Sequence, residues 1–257
     1  MEIQDSDTEI GIVIPIYQKK FIKKLINTIN KIGSKRKFII CIVNDGILDV
    51  KKYLEKNSWP NNVIILNLSQ NMQFAGANNA GWAELISYYP KLKYLGTLND
   101  DTIPRNGWLD ELINTLERNP QAALAGPIME TKKNWLFGKK NYAILRYKHD
   151  TSAEWIKNDI YQDELVPFIG GFCFMGRREM IEEVGGFDER YKNSCEDIDL
   201  CLKLLSKKKK LIVSAKSRVF HYVTSSRGLK DTNTDIIASH KLISEKWGND
   251  LSIYNNF

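Results

Sequence analysis

The sequence predicts an α/β fold, a single domain with a mostly parallel central sheet flanked by helices. Three observations predict it. Short runs rich in β-branched residues alternate with segments of helical period, the order expected of βαβ units. One of those runs, Phe38 to Val43, is apolar throughout, as a parallel strand covered on both faces must be. Polar residues then gather directly behind the strands, where the crevice of an open parallel sheet lies.

Taken in order, a first strand is expected over 10–14 and a helix over 19–31, followed by strands over 38–43 and 63–68. A helix over 77–88, an apolar run over 92–98, a helix over 104–118 and an apolar run over 122–125 continue the alternation. Pro104 suits a first helical turn, where its missing N–H costs nothing. From 130 to 165 the periodicity weakens, which predicts a mobile lid. Order returns with an apolar run over 166–175, then helices over 177–184 and 196–206, short strands over 211–214 and 218–222, and a helix over 235–247.

At 257 residues, 43% hydrophobic and 26% charged, the chain can bury a sizeable core, and disordered, collagen-like and disulfide-scaffold classes are excluded. The acidic start has neither a basic n-region nor an apolar h-region, so a cytoplasmic protein is expected. The apolar stretch at 10–16 is broken by Pro15 and falls short of a membrane span. Cys41, Cys173, Cys195 and Cys201 form no C-x-x-C pair and are expected to be buried thiols. The net charge of +6 favours phosphorylated ligands or peripheral contact with an anionic membrane surface and is too small to imply nucleic acid. The run Lys207 to Lys210 reads as a solvated helix end.

The strand ends carry the chemistry. Pro15 and Tyr17 follow the first strand; Asn44, Asp45 and Gly46 the second; Asn99, Asp100 and Asp101 the fourth. Such residues often serve only as Asx-turns and helix caps. Acidic groups at several strand ends exceed that need, and carboxylates facing one crevice repel each other unless a cation sits there. Mg²⁺ and Mn²⁺ commonly bridge carboxylates to substrate phosphates, which makes a nucleoside diphosphate the natural ligand.

Several further motifs fall in a recognisable order. Val13-Ile-Pro-Ile-Tyr17 is followed by Val43-Asn-Asp-Gly46, an Asn- and Gly-rich segment from Asn71 to Gly81, and Leu98-Asn-Asp-Asp-Thr102. Gly185-Gly-Phe-Asp-Glu-Arg-Tyr191, Cys195-Glu-Asp-Ile-Asp-Leu200 and Arg218-Val-Phe-His221 complete the set. In this order they resemble the inverting glycosyltransferases of family 2 with the GT-A fold, over about 10–228. Asn44 and Asn99 stand where the family pattern has aspartate, and Asn78 where many relatives carry arginine. The membrane-embedded synthase branch has a Q-x-x-R-W segment, which this sequence lacks.

The resemblance implies one domain over 8–257, with a nucleotide-sugar half (10–128), an acceptor-side and catalytic half (129–228) and a helical tail (229–257). It implies Asp197 as the general base, paired with Glu196, and a divalent cation, Mn²⁺ or Mg²⁺, held by Asp101, His221 and Asn99. Donor contacts fall to Pro15, Tyr17, Asp45, Asn71, Gly76, Asn78, Asp100, Gly170 and Gly171. The implied reaction moves a sugar from a nucleoside-diphosphate sugar to a hydroxyl of a glycan or lipid-linked acceptor, in the synthesis of bacterial surface polysaccharide. Tyr17 and Trp135 are candidates for stacking on base and sugar, while Phe172, Phe174 and Phe187 read as core. A sugar nucleotidyltransferase would need a glycine-rich phosphate loop after the first strand, and residues 15–19 contain no glycine. A non-catalytic carbohydrate module would need no acidic pair at Glu196 and Asp197.

Overall fold

The computed structural model describes residues 7–16, 28–29, 32–132, 139–192, 194–222 and 233–256, and structural statements below concern these. Tyr17, Trp135 and most of the helix expected over 19–31 lie outside them; Thr28 and Ile29 are helical.

Strands β1 (Ile10–Ile16), β2 (Phe38–Asn44), β3 (Val63–Asn67) and β4 (Tyr94–Leu98) form a parallel block in the order β3-β2-β1-β4. Alternating side chains of β1 serve two cores. Ile10, Ile12, Ile14 and Ile16 join one apolar cluster and Val13 the other, so the strand is buried on both faces. Beyond β4 the sheet continues with β11 (Cys173–Arg177), β6 (Ala122–Lys132), β12 (Lys210–His221) and β10 (Glu164–Leu165). β11 runs antiparallel to both its neighbours, whereas β6 and β12 pair in parallel. Residues from both expected halves thus share one sheet. β5 (Thr102–Pro104) adds to β12 and β7 (Lys139–Tyr142) to β6, giving ten strands, while β8 (Ile144–Tyr147) and β9 (Ala153–Lys157) form a separate antiparallel pair.

The helices cover both faces. Between β2 and β3 lies α1 (Leu48–Lys56), and α2 (Gln73–Tyr88) packs on Val13 and Val43. A Cβ added at Gly81 would sit 2.7 Å from both methyls of Val13 and 2.8 Å from Val43, so the helix rests on the sheet only because this position has no side chain. We expect Gly81→Ala to cost about 1–3 kcal/mol in a urea titration. An unchanged midpoint would mean that the helix can lift without penalty. On the opposite face α3 (Trp108–Arg118) packs on β6, β11 and β12 and buries Trp108, Leu109, Leu112, Ile113 and Leu116 in the apolar cluster that also holds the isoleucines of β1 and β2. The remaining helices are α4 (Arg178–Glu183), α5 (Glu196–Ser206), α6 (Asn233–Trp247) and a 3-10 turn, Leu251–Asn255.

Two expectations need correcting. Pro104 does not open a helix: it pairs with Val219 as the last residue of β5, and α3 begins at Trp108 after Gly107 in the left-handed region (φ 75°). The strands expected over 211–214 and 218–222 are one strand, β12, whose register against β6 shifts between Ser214 and Arg218. The segment from 130 to 165 carries the end of β6, then β7, β8, β9 and β10; its weak periodicity reflects short, partly exposed strands. The four cysteines are free and buried, as expected.

Candidate active site

Three groups of side chains assemble at the carboxyl edge of the parallel block. The first lies at the end of β2. Asn44 closes a turn on itself, accepting from the Ile47 N–H at 3.1 Å and donating to the Asn67 side chain at 3.0 Å. Its amide therefore serves a local turn. The adjacent Asp45 is 3% exposed and accepts the Met72 N–H at 2.6 Å, which anchors the start of α2. Gly46, at φ 80°, lets these segments touch: a Cβ there would fall 2.5 Å from the backbone of Gln70. Pro15, at the end of β1, is half-buried. Exposed Asn71 accepts the Gln73 N–H, Gly76 is buried over Met72, and Asn78 is fully buried, donating to the Phe74 carbonyl at 2.8 Å. Gly76 and Asn78 thus sit inside the helix packing.

Burial pushes the Asp45 carboxyl up from 3.8 to about 6, against the opposing pull of the Met72 and Gln73 N–H groups. The native state therefore holds this proton more tightly than the unfolded chain does. The stability this contributes is full below pH 3.8 and is lost as pH rises through about 6. An amide can still accept from Met72, so Asp45→Asn should be more stable than the parent by roughly 2 kcal/mol at pH 7.5, the gap closing near pH 4. Urea titrations at the two pH values check this. A gap of constant size would mean that Asp45 does not titrate in this range.

The second group follows β4. Asp101 is fully buried and Asp100 6% exposed. The turn is fixed by backbone and hydroxyl bonds: Thr102 Oγ1 donates to the Asn99 carbonyl at 2.6 Å, and the Tyr222 N–H donates to the Asp101 carbonyl at 3.1 Å. The β5–β12 pairing sets His221 opposite Thr102, bringing His221 Nε2 within 3.1 Å of Asp101 Oδ1. Among the described residues, neither carboxylate oxygen of Asp101, nor Asn99 Oδ1, nor His221 Nδ1 has a hydrogen-bond partner. Buried carboxylate oxygens without donors are costly, and a cation relieves that cost. A carboxylate, an imidazole and an amide oxygen suit Mn²⁺ or Mg²⁺ completed by phosphate oxygens. Asp101, His221 and Asn99 therefore fit the implied cation, although no cluster of three or more His, Cys, Asp or Glu side chains converges among the described residues.

The third group sits at the start of α5, which follows Cys195 in the left-handed region (φ 68°). Asp197 Oδ2 accepts the Gly171 N–H at 2.8 Å, and Oδ1 lies 2.9 Å from the Ile198 N–H. Glu196 is half-buried beside it. Asp199, in the same first turn, is fully buried and bonded to α6, so its surroundings differ from those of Asp197.

A three-residue run, 170–172, ties the second and third groups together. Gly171 donates to Asp197, the Phe172 carbonyl accepts the Asn99 N–H at 2.9 Å, and the Phe172 ring stacks on His221 with centroids 5.0 Å apart. Phe172, expected as core, is indeed buried, but its stacking role had no signal in the sequence. Asn79 was also overlooked. It donates to the Phe187 carbonyl and accepts the Phe187 N–H, fastening the glycine turn before α5 to α2. Its place in the Asn-rich segment was the available clue. Asp45 is not in contact with either of the other groups through any bond described above.

The sequence model described as "Glycosyl transferase family 2" matches residues 11–185. Among curated relatives, the O-antigen biosynthesis protein RfbC of Myxococcus xanthus is 20% identical over 85% of this chain, and the pre-mycofactocin glycosyltransferase of Mycobacterium tuberculosis 28% identical over 51%. The chain spans only 18% and 26% of those two proteins. The N-acetylglucosaminyl-diphospho-decaprenol L-rhamnosyltransferase of M. tuberculosis is 23% identical over 82% of this chain and 74% of its own length. A solved structure of GalNAc-T7 with UDP, GalNAc and Mn²⁺ superposes with a TM-score of 0.75 at 14% identity, covering 93% of this chain and 48% of that one. S. aureus TarS 1–349 gives 0.57 at 13% identity, covering 84% of this chain and 60% of that one. These likenesses show that the sheet and its helices form the GT-A fold.

Proposed function

Since the chain belongs to glycosyl transferase family 2, we propose that it transfers a sugar, with inversion, from a nucleoside-diphosphate sugar to a hydroxyl of a glycan or lipid-linked acceptor. The observation that carries this reading is the run 170–172, which joins the carboxylate of Asp197 to the cation-type group of Asp101, Asn99 and His221. A single displacement needs both a base for the acceptor hydroxyl and a sink for charge on the leaving diphosphate.

In the proposed step the acceptor oxygen attacks the anomeric carbon while the bond to the diphosphate oxygen breaks, and that oxygen leaves with the electron pair. Asp197 takes the hydroxyl proton. The Gly171 N–H holds the Asp197 carboxylate in place, and Glu196 adjoins it at the helix start. A bound Mn²⁺ or Mg²⁺, held by Asp101, His221 and Asn99, would supply the charge sink for the diphosphate. Asp45, Asn71 and Asp100, with Pro15, Tyr17 and the backbone at Gly170 and Gly171, are assigned to the donor. Gly76 and Asn78 act on it only through the packing of α2.

The relative named for a decaprenol-linked acceptor supports a lipid-linked acceptor and a role in surface polysaccharide synthesis. Among the described residues no helix is long and apolar enough to cross a membrane, and the charge of +6 supports peripheral contact with an anionic cytoplasmic membrane face. The test is nucleoside diphosphate release from UDP-, dTDP- and GDP-sugars with Mn²⁺ and with chelator. One nucleotide series should be turned over, and only with the ion. No release and no thermal shift with any of them would overturn the proposal.

A further inference from the structure

Two residues after Asp197, on the same helix, Asp199 is a fully buried carboxylate with a dense set of partners. Its Oδ1 accepts Trp247 Nε1 at 2.8 Å and Tyr191 Oη at 3.3 Å, and stands 2.8 Å from Lys246 Nζ; Lys203 Nζ lies 3.7 Å from Oδ2. Lys203 also donates to the Gly186 carbonyl. Lys246 reaches Asp188 at 3.1 Å, and Asp188 is paired with Arg190 at 2.6 Å. Arg190 chiefly, with Lys246, holds the Asp188 carboxyl well below the usual range. One network therefore binds the glycine turn, the first turns of α5 and the end of α6.

The tail is fastened a second time. The Asn255 side chain accepts the Tyr147 N–H at 3.0 Å and donates to the Tyr147 carbonyl at 2.9 Å, while the Leu251 N–H donates to Asp150. Between these points Trp247 and Tyr254 meet edge to face at 6.0 Å. The apolar attachment of α6 runs along one side only: Ile243 is fully buried and Leu242 and Trp247 pack on the core, while Ile237 is 65% exposed. Buried charges add little net stability compared with apolar packing of the same volume, whereas their directional bonds fix a register. A network of this kind serves to hold one helix at a set position against another.

Building on the assignment of Asp197 as base, we propose that residues 233–256 brace α5, with Lys246 and Trp247 acting as positioning residues for Asp197 through Asp199. Neither contacts Asp197 in the bonds described; they set where the helix start lies relative to Gly171. Small displacements of a reacting group carry large rate penalties, so loosening the brace should act on turnover more than on nucleotide binding.

The variants Trp247→Phe, Lys246→Met and Lys246→Arg test this in the full chain. Turnover is read as nucleoside diphosphate released from the UDP-, dTDP- and GDP-sugar panel, affinity by titrating the corresponding nucleoside diphosphate with Mn²⁺, and folding by melting. Trp247→Phe keeps an aromatic ring but removes the Nε1–H donor together with part of the indole's volume, so melting is read beside turnover. It and Lys246→Met should lower kcat by about tenfold with affinity within about twofold of the parent, and Lys246→Arg should recover most of the loss. Turnover per folded molecule equal to the parent in both Trp247→Phe and Lys246→Met, with only the melting temperature lowered, would overturn the brace. Asp197→Asn separates the two ideas: if it is inactive while both brace variants are fully active, the brace alone fails. If Asp197→Asn is fully active, the assignment of the base fails first.

Discussion

Asp197→Asn is expected to lower transfer by about 10²–10⁴-fold while leaving nucleoside diphosphate affinity close to that of the parent. A base touches the acceptor hydroxyl and not the diphosphate, so its loss appears in kcat. The substitution is conservative in every other respect. The amide oxygen can still accept the Gly171 N–H, and at the second position of α5 the loss of the negative charge costs only a modest helix-dipole contribution, about 0.3–1 kcal/mol. Only the second acceptor, near the Ile198 N–H, is exchanged for a donor, a change of about 1 kcal/mol. If Asp197 merely supported the first turn of α5 and the Gly171 N–H, the variant would keep nearly full turnover with a slightly lower melting temperature. In that event the neighbouring candidate is Glu196. Asp199 is already committed to Trp247 and Lys246, and freeing it for chemistry would break the network.

Asp101→Ala and His221→Ala are expected to weaken Mn²⁺-dependent binding of the nucleoside diphosphate by at least about tenfold, since even outer partners of metal ligands commonly contribute that much. Both residues are drawn into one place by the β5–β12 pairing, with His221 Nε2 3.1 Å from Asp101 Oδ1 and with Asp101 Oδ2 lacking a hydrogen-bond partner among the described residues. The comparison that matters is calorimetry with and without the ion. Parent and variants should differ with Mn²⁺ and coincide without it. Equal affinity under both conditions would leave Asp101 and His221 as a structural pair and remove the cation from the account.

The parallel block was legible because its strands are apolar on both faces, as in Phe38–Asn44, and because βα alternation is a local signal. β5 was not. Pro104 carries a local preference for a helix start, and the pairing that overrides it comes from Val219, far away in the chain. α1 escaped because its apolar positions are few, with only Val50 and Leu54 buried. Of the candidate site, the residues Asp101, His221 and Asp197 could be named from motif order alone. Their mutual arrangement could not. The stacking of Phe172 on His221 and the Gly171 bond to Asp197 join segments that no periodicity connects. The distinction between Asp197 and Asp199, two carboxylates in one helical turn, was also invisible, since it depends on which of them the tail covers.

The central claim is a single displacement assisted by Asp197, and the configuration of the product tests it most directly. With a donor identified by nucleoside diphosphate release and an acceptor that supports transfer, proton NMR of the new glycosidic linkage reads the anomeric configuration. Attack from the face opposite the diphosphate must give the opposite anomer to that of the donor. A product of inverted configuration is the predicted result; a product that retains the donor's configuration would contradict it.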